Sequence, residues 1–279
     1  MFKTMIKAST VALILAISST TFPVYASNNS EATESSENET KFELTEEQKE
    51  ALEFYEAYKE ELYDDSSEED GEVKLFAKYD DNQKQLRQGN VIEAFLNEDE
   101  GLSLSDMRRL KNHADEARDT AERYYKNDSM LRDAYRHFLW NYLGSNDSRL
   151  GQVQTRIATT NHEWGLLLRQ DALDYYDERL SYYTDLGLNG LEAMAPAFGD
   201  TLNRLPKMKR NKISSYSDFK SVVDDSNVMD WNNNYYGRYY SYMDDQDAAF
   251  KQAKPFLILA ESKVKSSDYR KVYDGNWYK

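Results

Sequence analysis

The sequence predicts an all-α fold: an irregular multi-helix bundle over residues 102–279, behind a signal peptide at 1–26 and an acidic, largely disordered segment at 27–101 that carries one helix. Three observations lead there. From Leu102 almost to the end, apolar residues recur at intervals of three and four, the spacing that draws a stripe along one face of a helix. Between these stretches stand short turn-forming clusters, not long loops. "VKLFAKY", from Val73, is readable as a strand but has no partner strand.

At the N-terminus, Lys3 and Lys7 precede an apolar run to about Ile17, and "VYA" ends on Ala26. This is the layout of a secretory signal cleaved after Ala26, so a secreted protein is expected. The apolar run is short for a membrane span, and no later stretch suits one. The chain has no cysteine, which excludes thiol nucleophiles and Cys-based zinc sites. An exported chain without disulfides relies on its core, a pattern that suggests a Gram-positive-type bacterium.

The net charge of −15 is unevenly placed. Residues 28–73 hold 18 acids and 3 lysines, whereas the chain outside them and the signal has 32 acids and 30 bases. A near-neutral body gives no DNA-binding signature. "SNNSEATESSENET" reads as a disordered linker. "TEEQKEALEFYEAYKEELY" reads as a helix, with Thr45 and Gln48 matching a capping box. Deletion of residues 27–71 is expected to leave the stability of the body nearly unchanged.

In the body, "SLSDMRRLKNHADEARDTAERYY" reads as a helix with Leu104, Met107, Leu110, Ala114, Ala117 and Ala121 on one stripe and Ser103 or Ser105 as its cap. A second runs from Asp128 to about Gly144, and a third follows after a turn short enough to make the two an antiparallel pair. Further helices are expected near 171–184, 189–204, 231–243 and 245–265, the last kinked or split at Pro255.

The chemistry-bearing residues fall in three stretches. In "DAYRHFLWN", His137 lies beside the apolar stripe of Leu131, Ala134, Tyr135, Phe138 and Tyr142, with Asp133 and Asn141 one turn either side. In the next helix, Gly151, Thr155, Ala158, His162 and Gly165 share a face of small residues that allows close approach. Leu150, Val153, Ile157, Trp164 and Leu168 form the core stripe, and Glu163 turns toward a polar side with Gln152, Arg156 and Thr159. In "MDWNNNYYGRYY", Asp230 and three asparagines open a helix, more polar groups than one cap needs. "NHEWG" is not a zincin motif, because position 166 is Leu166, and Phe138 after His137 breaks the His-Asp dyad of secreted phospholipases. No G-x-S-x-G, P-loop or dinucleotide turn is present.

Together Asp133, Ala134, Arg136, His137, Trp140 and Asn141, then His162 and Glu163, then Met229, Asp230, Asn233, Asn234, Gly237 and Arg238 resemble an uncharacterised bacterial family found in secreted and toxin-associated proteins, with the pattern DAxRHxxW, HE, MDxxNNxxGR. The match spans roughly residues 130–240, with a longer gap than usual between Glu163 and Met229. Two functions follow. In the first, a secreted toxin-like hydrolase, His137, His162, Glu163, Asp230 and Asp133 are the catalytic candidates. Arg136, Trp140, Asn141, Asn233, Asn234 and Arg238 are the binding candidates, and His137, His162 and Asp230 hold zinc or a similar divalent metal. In the second, a non-catalytic surface or envelope-associated protein, the same residues form a buried hydrogen-bond network. The metal reading places the two imidazoles within about 8 Å, with Asp230 or Glu163 nearby. The sequence names no substrate.

Overall fold

The computed structural model describes residues 42–62 and 82–279, and among them the fold is all-α. The signal segment, the acidic linker and "VKLFAKY" lie outside the described residues.

Helix α1 (Glu46–Leu62) opens with the expected capping box: Thr45 N donates to Gln48 Oε1 at 2.9 Å, and Gln48 N donates to Thr45 Oγ1 at 3.2 Å. A short helix, α2 (82–88), then turns at Gly89 into α3 (Asn90–Asp99). After α4 (Leu104–Tyr124), capped by Ser103, come the antiparallel pair α5 (Ser129–Asn146) and α6 (Gly151–Leu167). Helices α7 (Arg169–Asp185) and α8 (Gly190–Lys212) form a second hairpin. Then follow α9 (Tyr216–Val222), α10 (Asp225–Tyr239), α11 (Gln246–Ala253) and α12 (Ser266–Asp274). Pro255 ends α11 in a 3-10 turn over Lys254–Phe256, so of the two expected outcomes, kink or split, the last helix splits. Neither α9 nor α12 was expected as a separate helix.

The domain boundary expected at residue 102 is corrected: the helical unit begins at Phe42. Ala51, Tyr55 and Tyr58 of α1 and Val91, Ile92 and Leu96 of α3 lie in one core with Phe198 and Leu202 of α8. Gln48, expected only as a cap, is buried, and its Nε2 donates to Asp200 Oδ1 at 2.7 Å and Tyr183 Oη at 2.8 Å. The acids of α1 belong to its outer face, so the acidity that made the helix look dispensable marks a solvated stripe. A second core joins α4, α5 and α11 around Tyr135, Phe138 and Phe250, with Tyr135 meeting Phe250 edge to face at 4.6 Å.

Two corrections concern the faces of α6. Val153, expected in the core, is 59% exposed, whereas Leu150, Trp164 and Leu168 are buried as expected. Glu163, expected on the polar side with Gln152 and Arg156, is buried. The small-residue face does admit close neighbours. Gly165 faces the Gly89 backbone, where an added Cβ would sit 2.7 Å from the Gly89 carbonyl oxygen, and Thr155 packs against Gly144 of α5.

Candidate functional site

The site is built where α10 crosses α5. Gly237 lies against the Phe138 backbone, where a Cβ would run into the Phe138 carbonyl oxygen and stand 2.8 Å from Asn141 Cβ. Three and seven residues before Gly237, on the same face of α10, stand Asn234 and Asp230. On α5, Asp133, His137 and Asn141 share a face at steps of four. Close backbone approach therefore presses two polar rows together.

Helix α10 starts earlier than expected. Asp224 caps it, accepting from Ser226 N and Asn227 N, so Asp230 and the three asparagines lie mid-helix and not at its start. Asp230 projects from a face, not from the helix end. Each asparagine has its own partner. Asn232 Nδ2 donates to the Phe256 carbonyl at 3.1 Å. Asn233 pins the backbone of Ile258 from both sides, donating to its carbonyl at 2.9 Å and accepting from its N–H at 3.0 Å. Asn233, expected to bind ligand, thus holds the segment after α11, while Asn234 reaches His137.

A chain of hydrogen bonds fixes which nitrogen of His137 carries its proton. Arg238 Nη1, which can only donate, lies 2.5 Å from Asn141 Oδ1, and Thr159 Oγ1 donates there too at 2.9 Å. Asn141 Nδ2 is thereby turned toward the His137 carbonyl at 2.9 Å and Asn234 Oδ1 at 2.7 Å. Asn234 Oδ1 then accepts from His137 Nδ1 at 3.1 Å. The proton sits on Nδ1 and the Nε2 lone pair points the other way. Burial, then the charges of Arg136 and His162, hold the imidazole well below its ordinary pKa, so it stays neutral.

Around Nε2 stand Arg136 Nη2 at 2.9 Å, Asp230 Oδ1 at 3.2 Å and Asp133 Oδ1 at 3.9 Å. Arg136 Nη2 also donates to Asp133 Oδ1 at 2.7 Å. Asp230 Oδ1 has no hydrogen-bond donor among the described residues. Two acceptors this close require a proton or a cation between them. Burial, then Glu163 and Asp133, push the Asp230 carboxyl well above the usual carboxylate range. One ligand atom each from Asp133, His137 and Asp230 lies within 4.8 Å of the others, so this group could hold a metal ion. Bonds of about 2.0–2.2 Å bring two ligands to at most about 4.4 Å apart, so closing on an ion needs a movement well under a side-chain rotamer change.

His162, expected as a third ligand, stands outside that group. Its Nδ1 bonds Glu93 Oε2 of α3 at 2.9 Å, and its ring meets Trp140 edge to face at 5.4 Å. His137 and His162 nevertheless line one cavity of 340 Å³ between α1, α3, α4, α5 and α6, with Arg136, Trp140 and Glu93. Burial opposes a charge on His162, but Glu93 outweighs it and pushes the imidazole up to about 9. Glu163 lies behind. Burial pushes its carboxyl up to about 7 against the pull of His162 and Asn227. Asn227 approaches Glu163 without good bonding geometry, so neither carboxyl oxygen has a hydrogen-bond partner among the described residues. Glu93 was not expected at the site, since nothing in "NVIEAFLNED" singles it out, and Thr159, expected on the polar side of α6, is buried against Asn141.

These shifts set a pH dependence for the metal-free protein. His162 has a folded pKa above its ordinary 6.5, so its contribution is complete below pH 6.5 and lost as pH rises to about 9. Glu163 acts in the same direction up to about pH 7, because its raised pKa makes ionisation in the fold costly. Melting temperature is therefore expected to fall between pH 6.5 and 9, and the slope to flatten in Glu93→Gln. A flat profile in the parent protein would show that His162 is not held by Glu93.

No helix among the described residues is long and apolar enough to cross a membrane. Comparison with protein-family models, curated proteins and solved structures gave no match for this chain.

Proposed function

We propose that the protein is an exported, metal-dependent hydrolase, in keeping with the toxin-like bacterial family its motifs resemble. The observation that carries this reading is the convergence of Asp133, His137 and Asp230 within 4.8 Å, with His137 lining a cavity. One imidazole and two carboxylates suit zinc or a similar divalent cation. Such an ion supplies a Lewis acid and an activated water when bound.

The chain's own groups do the rest. Asn141 and Asn234 hold the His137 ring with Nε2 outward. Arg136 spans Asp133 and His137 where a cation belongs. Its side chain is 43% exposed and lines the cavity, where its guanidinium would meet an anionic substrate group. His162, cationic at neutral pH, faces the same space and stabilises negative charge that develops there. Glu163, buried behind His162, acts through its charge, which helps to push the Asp230 carboxyl up.

The bridge made by Arg136 also favours a second reading. With contacts of 2.7 and 2.9 Å, Arg136 can serve as the resident cation of a non-catalytic network in an envelope-associated protein. Assays of the full chain against phospholipid, nucleic acid and peptidoglycan separate the two. Hydrolysis of one substrate, lost on chelation and restored by zinc or manganese, is expected, with His137→Gln lowering kcat/KM by about a hundredfold or more. No turnover with any metal, together with a large stability loss in His137→Gln, would favour the network.

A further inference from the structure

We propose that the protein has a second binding site, for a small oxyanion, in the cavity between α6, α10 and the segment after α12, where Arg238 and Arg156 stand without an Asp or Glu side chain to pair with. This cavity of 440 Å³ is lined by Gln152, Arg156, Tyr235, Arg238, Asn276 and Trp277 among others. It lies on the opposite side of Asn141 from His137 and shares no lining residue with the first cavity.

Arg238 is the unusual group. Only 7% of its surface is exposed. Its Nη1 is spent on Asn141 Oδ1 and Thr159 Oγ1, two neutral acceptors. Its Nε and Nη2 have no acceptor, and no carboxylate pairs with it, among the described residues. A guanidinium carries donors in a planar fork that matches an oxyanion. Burying one without a counter-charge is costly, and a buried cation of this kind is ordinarily paired. Burial, then Arg156, pull Arg238 down to about 9, so the cavity holds two cations that repel each other.

Arg156 is exposed and gives one bond, from Nη1 to the Lys279 carbonyl at 2.9 Å. No Asp or Glu side chain pairs with it among the described residues. The wall is aromatic: Tyr235 and Trp277 stack at 4.0 Å with rings 11° apart. Asn276, in the left-handed region at φ 52°, makes the turn that presents Trp277 to Tyr235. An apolar wall limits competition from water for the two guanidiniums. An anion there neutralises the repulsion and takes up the unused donors of Arg238.

The test is calorimetric titration of the metal-free full chain with inorganic phosphate at low ionic strength, and separately with benzoate. Saturable one-to-one binding is expected, weakened at least tenfold in Arg156→Gln, whose exposed position leaves the fold intact by circular dichroism. Arg238→Lys, which keeps the charge and loses the fork, is expected to weaken it further. Tighter phosphate than benzoate identifies a tetrahedral oxyanion, and the reverse a planar carboxylate. No saturable binding of either overturns the site. So does binding that survives Arg156→Gln but is lost in Arg136→Gln, which would place the anion in the first cavity.

Discussion

Deletion of residues 27–71 is expected to lower the melting temperature by about 10 °C or more, although acidic composition alone marks the segment as dispensable. The reason is α1. Tyr55 and Tyr58 are buried at 3% and 5% exposure, and two tyrosine side chains shielded on that scale account for several kcal/mol by area. Gln48 adds a polar anchor: it bonds Asp200 and Tyr183, and Asp200 in turn holds Arg179 Nε at 2.7 Å. Without α1, the faces of α3 and α8 that carry Phe95 and Phe198 meet water. Tyr58 and Leu62 also line the first cavity, so the deletion opens that cavity on one side. Thermal unfolding followed by circular dichroism checks this. An unchanged midpoint would mean that α1 does not dock.

Gly237→Ala is expected to destabilise the protein by about 3 kcal/mol or more, beyond the usual cost of overpacking. The atom that a Cβ meets is backbone, the Phe138 carbonyl oxygen, and not the tip of a side chain that can swing away. Helices α5 and α10 must then separate, and the separation acts on the bonds from Asn234 Oδ1 to Asn141 and His137. Chemical denaturation measures the loss. A histidine-resolved NMR spectrum is expected to show His137 titrating closer to its ordinary pKa, because the pocket that keeps it neutral has opened. A variant as stable as the parent would show that the two helices do not touch there.

Helices α4, α5 and α8 were largely legible, because each has a clear stripe and a capping residue, at Ser103, Asp128 and Asn189. The site was legible in its residue types and in the pairing of α5 with α6. Its detailed wiring was not. Sequence periodicity put Glu163 with Arg156 on a polar face, but a helix with neighbours on several sides buries more than one stripe, and Glu163 lies on such a second buried face. "DWNNN" read as a helix start because asparagine favours caps, yet Asp224 had already capped α10 and tertiary partners outweigh that local preference. The partner of His162, Glu93, is 69 residues away on a helix whose own pattern shows only core spacing. Long-range pairs of this kind leave no local trace.

The most direct measurement is calorimetric titration of the chelated full chain with zinc and with manganese, repeated on three variants. The parent protein is expected to bind one ion, with proton release as Asp230 gives up its proton. His137→Gln and Asp230→Asn are expected to lose that binding, whereas His162→Gln keeps it, because His162 is committed to Glu93 and not to the ion. The contrary result is a parent that binds no divalent ion, or binding lost in His162→Gln and retained in Asp230→Asn.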